Sequence, residues 1–189
     1  MRILTGLFLA VIGSAVSMAQ PSVSQTETLD IHHYEVTGLS PEHLINSFRA
    51  RTNPAVMATT LGGVDVRYDF AFGGDECRLM QVELKLDIDI TYPLWREEAR
   101  GPDAMRTEWA RFMIAVRAHE QGHVDRFRRA ANEMSDRLAA IPPASSCRTV
   151  RSAVAAERER FRHEIAIIQA EYERQTDNGA NQGARLRFR

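Results

Sequence analysis

At 189 residues the chain has room for one domain with a real core, and 44% hydrophobic with 26% charged residues is ordinary globular composition. The net charge of −1 implies no basic patch, which argues against nucleic acid or an anionic membrane as partner.

The chain begins with Arg2, a mostly apolar run over residues 3–16, and Ser17-Met18-Ala19, a small-x-small site before Gln20. This is the layout of a secretory signal peptide over residues 1–19. The competing reading, a membrane anchor, needs about 20 apolar residues, more than the run supplies. No cysteine follows the run, so a lipid anchor is not expected. The mature protein is therefore expected to be exported, periplasmic or secreted, with no stable membrane insertion. Cys77 and Cys147 fit that destination as a disulfide. It would close a loop of about 70 residues and stabilise by about 4 kcal/mol. Unlinked buried thiols are the alternative, and a cysteine zinc site is disfavoured because no CxxC spacing occurs.

Residues 20–28, largely polar, read as a flexible leader to a single domain over 29–189. Residues 29–36 alternate imperfectly and predict a first strand. Ser40 is a candidate N-cap with Pro41 at the first helical position, where its missing N–H costs nothing. Leu44, Ile45 and Phe48 give that short helix its apolar face, and Asn53-Pro54 ends it or lies just beyond. Val64, Val66, Tyr68, Phe70 and Phe72 then alternate with mostly polar residues, as do Met80, Val82, Leu84, Leu86, Ile88, Ile90 and Tyr92. Period-two alternation of this length predicts half-buried antiparallel strands joined through Gly73-Gly74-Asp75-Glu76.

From Pro102 to about Leu138 the apolar spacing becomes helical, through Trp109, Phe112, Met113, Val116, Phe127, Met134 and Leu138. Ile141-Pro142-Pro143 stops this helix. A second long helix is predicted over about 152–175, with Val154, Phe161, Ile165, Ile168 and Tyr172 on its apolar side. The expected fold is α+β: an antiparallel sheet of about three strands packed on a long helical hairpin.

The first long helix carries His119-Glu120-Gln121-Gly122-His123, an HExxH motif of the zincin kind. Histidines four apart share one helical face, so both imidazoles can reach one zinc ion. Glu120 can then act as general base toward a zinc-bound water. Gly122 costs about 1 kcal/mol against alanine in mid-helix, which marks a crowded or close-approach position. A metzincin would carry glycine and a third histidine where this chain has Arg126 and Arg129, so that class is excluded. The third ligand is then expected from the second long helix or its tail, among Glu157, His163, Glu164, Glu171, Glu173 and Asp177. Taken singly, each of these is more often a solvated surface residue. His32, His33 and His43 read as surface or packing residues, Trp95 and Trp109 as core or lid aromatics, and Arg126, Arg128 and Arg129 as a solvated face.

Several segments together resemble a bacterial family of secreted zinc-dependent proteases, catalogued mainly as a domain of unknown function. They are Tyr34-Glu35-Val36-Thr37-Gly38 with Ser40, the hairpin from Cys77 to Tyr92-Pro93-Leu94-Trp95, Trp109 with the HExxH helix, Cys147, and the stretch from Tyr172 to Gly183. In the resemblance, histidine is expected in a Thr-x-His-Gly arrangement where this chain has Asn178. A neutral amide oxygen is a poor zinc ligand, so Asp177, another carboxylate or water would take that place, or affinity has fallen.

The expected function is an exported zinc-dependent metallopeptidase acting on protein or peptide substrates. His119 and His123 bind zinc, the ion lowers the pKa of its water toward about 7, and Glu120 moves the proton to the leaving amine. The alternative is a non-catalytic exported domain that binds metal or a partner, which the absent histidine at 178 motivates.

Overall fold

β3, Glu76–Trp95, is the central strand of a three-stranded sheet in the computed structural model, which describes residues 20–51 and 57–188. Its alternation explains its place. Val82, Leu84, Leu86, Ile88 and Ile90 are buried on one face, while Glu83, Lys85 and Asp89 are exposed on the other. The strand with the longest apolar face gains most from a partner on each side. β2, Thr59–Gly73, pairs with it antiparallel through the expected hairpin. β1, Ser22–Val36, pairs on the other side and runs parallel to it.

The sheet is therefore mixed rather than antiparallel. After β1 the chain crosses through α1, Pro41–Arg51, runs back along β2, and returns up β3 in the centre. Inserting β3 between the other two makes β1 and β3 point the same way. Hairpin patterning registers nearest neighbours in sequence and is silent about that insertion.

Two further boundaries move. β1 begins at Ser22, paired with Gln81, so most of the expected leader is strand. An edge strand is held by its backbone ladder and can be polar on its open side. Of this part only Val23 packs partly against the core, with Leu29 just beyond it, and Arg128 binds the Glu27 carboxylate at 2.6 and 2.8 Å. In β3 the alternation breaks at Met80. Asp69 pairs with Gln81 but Phe70 pairs with Leu79, so Met80 is the extra residue of a bulge. Cys77 and Leu79 thereby turn inward and Met80 outward.

Two antiparallel helices cover the apolar face. α2, Asp103–Ala139, buries Trp109, Phe112, Val116, Val124, Phe127, Met134 and Leu138. α3, Cys147–Thr176, starts earlier than its apolar spacing implied, because the Ser146 hydroxyl accepts from the Thr149 N–H at 3.2 Å and caps it. α1 is capped in the same way, by Ser40 accepting from His43 N–H at 3.3 Å. Asn53-Pro54 and the expected signal peptide lie outside the described residues. Trp95 and Trp109 belong to the core, with ring centroids 5.9 Å apart. The disulfide Cys77–Cys147 ties the start of β3 to the first turn of α3. Cys77 and Ala144 also exchange two backbone hydrogen bonds beside it, of 2.7 and 2.9 Å. None of the described helices is long and apolar enough to cross a membrane.

Candidate metal centre

The midpoint of α2 lies between the last turns of α3 and the start of β2. His119, Glu120 and His123 are all buried there. Along α3 the apolar positions Phe161 and Ile165 continue at four-residue steps as Gln169 and Glu173, with Tyr172 alongside. The stripe becomes polar where it meets the histidines.

His119 and His123 turn their Nε2 atoms toward each other at 3.2 Å. The Glu173 carboxylate closes the triangle, 3.3 Å from His119 Nε2 and 3.2 Å from His123 Nε2. The three residues form the group of potential metal ligands found among the described residues, with candidate atoms within 4.8 Å of one another.

Proton positions follow from the outer partners. His123 Nδ1 lies 2.6 Å from the Gln169 amide oxygen, and the Gln169 amide nitrogen donates to the His123 carbonyl at 3.2 Å. A carbonyl only accepts, so this second bond fixes the orientation of the amide. Its oxygen therefore accepts a hydrogen bond from the Nδ1–H, which keeps its proton. His119 Nδ1 donates likewise to the Gln182 amide oxygen at 2.8 Å, while the Gln182 amide nitrogen donates to the Tyr172 hydroxyl at 3.1 Å. In the neutral rings both Nε2 atoms then carry bare lone pairs. Two lone pairs and a carboxylate converge with no donor between them, and Glu173 Oε2 is buried without a hydrogen-bond partner. Such an arrangement fits a cation. Tetrahedral ligation at 2.0–2.1 Å places two nitrogens about 3.3 Å apart, and two histidines with a glutamate are an established catalytic zinc set. The glutamines occupy the orienting role usual around ligating histidines.

Tyr172 supports the site from below. Its ring stacks on His119 at 5.1 Å, its hydroxyl donates to the His119 carbonyl at 3.1 Å, and the Arg126 guanidinium lies 3.5 Å over the ring. Arg126 also donates to the Gly122 carbonyl at 2.7 Å, so it is structural rather than part of a solvated face. Arg128 pairs with Glu27, which leaves Arg129 as the exposed member of that cluster.

Glu120 faces a small pocket lined also by Met57, Ala58, Val116 and Asn178. Thr60, at the start of β2, donates its hydroxyl to Glu120 Oε2 at 2.7 Å. Burial raises the Glu120 carboxyl from its ordinary value, against the Thr60 hydroxyl, which favours the charged form.

The other candidates fall elsewhere. The Asp177 carboxylate pairs with Arg185 at 2.6 Å and is half exposed. Glu157 pairs with Arg137, Glu164 with Arg137 and Arg160, and Glu171 with Arg174. His163 is exposed. His32 bonds Asp89 on the open sheet face, and His33 lies beside Tyr92. His43 is exposed in the first turn of α1.

The sequence alone does not single out Thr60, Gln169 or Gln182. The polar continuation of the α3 stripe is a signal for Gln169, and it singles out Glu173 from the other candidate ligands. Gln182 had no such signal. It arrives through Asp177, Asn178 and Gly179, whose φ values of 52°, 49° and 79° fold the chain back from α3 onto His119.

Neither a curated protein nor a solved structure matches the chain. A family profile described as a bacterial protein of unknown function, DUF922, does match, over residues 31–180 of the 189, and that description assigns no activity. The chain belongs to the DUF922 family.

Proposed function

We propose that the protein is an exported zinc-dependent metallopeptidase, cleaving peptide or related amide bonds. The observation that carries this reading is the convergence of His119 Nε2, His123 Nε2 and a buried Glu173 oxygen that lacks a hydrogen-bond partner, beside the buried carboxylate of Glu120. His119, His123 and Glu173 are the residues that would hold the ion, with Glu173 rather than Asp177 as third ligand. Zinc bound there supplies Lewis acidity toward the scissile carbonyl and acidifies water. Glu120 accepts the proton of the attacking water and returns it to the leaving amine. The Thr60 hydroxyl engages Oε2, so proton transfer falls to Oε1. Gln169 and Gln182 hold the two imidazoles in the ligating tautomer. The disulfide fits an oxidising compartment outside the cytosol.

Glu120→Gln tests the reading in the mature chain. Metal analysis is expected to give one retained zinc in both forms. Hydrolysis of an unstructured peptide mixture is expected to fall by about 10²–10⁴-fold, the usual worth of a general base. Undiminished hydrolysis by the variant sinks the mechanism. Tight zinc in the unaltered chain, without hydrolysis of any peptide tried, favours the metal-binding domain instead.

A further inference from the structure

The segment after α3 touches α2 in two places. At one end Gln182 accepts from His119 Nδ1, and Ala184 is buried against the same pocket as Glu120 and Glu173. At the other end the segment sits on a charged platform two to three turns earlier on α2. Arg111 donates to the Gly183 carbonyl at 2.8 Å and to the Arg185 carbonyl, and it pairs with Glu108 at 2.8 Å. Glu108 in turn accepts from the Arg187 backbone N–H. The Ala184 N–H returns to the Gly179 carbonyl at 3.0 Å, so the stretch that carries Gln182 is a closed turn, and the platform contacts start at the next residue, Gly183.

A strap with one end on the platform and the other on a histidine cannot loosen at one without disturbing the other. We infer that residues 177–188 form a strap whose docking on Glu108–Arg111 and metal occupancy at His119, His123 and Glu173 stabilise each other. In this scheme Arg111 is a positioning residue of the metal centre, acting through Gln182. Arg111 lies eight positions before His119 in the sequence and touches no ligand atom in any hydrogen bond or ion pair described. The inference rests on the metal reading above and not on peptidase activity. Thermodynamic reciprocity makes it testable from both ends: if docking tightens the metal, the metal must tighten docking by the same factor.

The experiment uses the mature full chain and zinc alone as probe. Zinc affinity is measured by competition with a chromophoric chelator, and hydrogen exchange is followed by mass spectrometry with and without zinc. Zinc is expected to slow exchange in peptides covering 178–188 by about tenfold, while β3 peptides, already protected, hardly change. Arg111→Ala, on a partly exposed side chain, is expected to weaken zinc by about tenfold, and Arg111→Lys, which keeps the charge and one donor, by less. Gln182→Ala is expected to weaken zinc alone, and adding Arg111→Ala to it to cost little more, because both act through one path. Purely structural damage by Arg111→Ala would instead add in full to the Gln182→Ala loss and would slow no strap exchange on zinc binding. Zinc binding with unchanged strap exchange and a wild-type affinity in Arg111→Ala overturns the linkage and leaves the metal reading standing. Absence of zinc binding in the unaltered chain overturns both.

Discussion

The hydroxyl of Tyr172 occupies the space that a Cβ on Gly122 would need: the two atoms would stand 2.0 Å apart. Alanine at 122 would gain about 1 kcal/mol of helix propensity. It would also drive a methyl into a buried ring that is stacked on His119 and bonded to its carbonyl, at an overpacking cost of about 1–3 kcal/mol. The ring cannot retreat without taking the histidine with it. Gly122→Ala is therefore expected to lower stability by about 1 kcal/mol net and to weaken zinc binding as well. Urea denaturation of the metal-free chain and a zinc titration check the two effects separately. A variant as stable as the parent, with full zinc affinity, would show that the close approach is not needed.

Three substitutions around the α3 terminus separate the candidate third ligands. Glu173→Gln removes the carboxylate that faces both Nε2 atoms, and zinc affinity is expected to fall by about 10²-fold or more. Asp177→Asn is expected to leave affinity within about threefold, because that carboxylate is already engaged by Arg185. Asn178→His places an imidazole in the wall of the same pocket, at a φ of 49° that histidine tolerates, and is expected to raise affinity. The reverse order, with Asp177→Asn abolishing binding and Glu173→Gln neutral, would move the third ligand to Asp177.

Much of this site was legible because it obeys helix periodicity. His119 and His123 share a face by spacing alone, and Gly122 announced the contact that Tyr172 makes. Glu173 stood among the candidates but not at their head, since a lone glutamate on a charged helix resembles its neighbours until the partner helix is placed. The polar step from Ile165 to Gln169 to Glu173 was the usable signal, an apolar stripe that stops being apolar without leaving the interface. Thr60 and Gln182 depended on information of another kind. Thr60 reaches Glu120 only because β2 lies beside the central strand in the sheet that α2 covers, and Gln182 only because consecutive left-handed residues reverse the chain. Sheet order and the parallel run of β1 were hidden for the same reason: local patterns name strands, and packing chooses their neighbours.

Acid should loosen the strap through Glu108. The Arg111 guanidinium, helped by the Arg187 backbone N–H, holds the Glu108 carboxyl below its ordinary value of 4.5, against the opposing effect of partial burial. A carboxylate whose folded pKa is depressed adds stability that is fully present above its unfolded value. That stability is lost as pH falls through the lower, folded value. The stability difference between the unaltered chain and Glu108→Gln is therefore expected to be constant from about pH 7 down to about pH 5.5, to shrink below 4.5, and to vanish once Glu108 is protonated in both states. Urea denaturation of the metal-free chains at a series of pH values measures it, with metal left out so that ligand protonation does not enter. Strap peptides should gain hydrogen exchange over the same interval, after correction for the intrinsic pH dependence of exchange. A stability difference that stays level through that interval would mean that the Glu108 charge does not hold the strap.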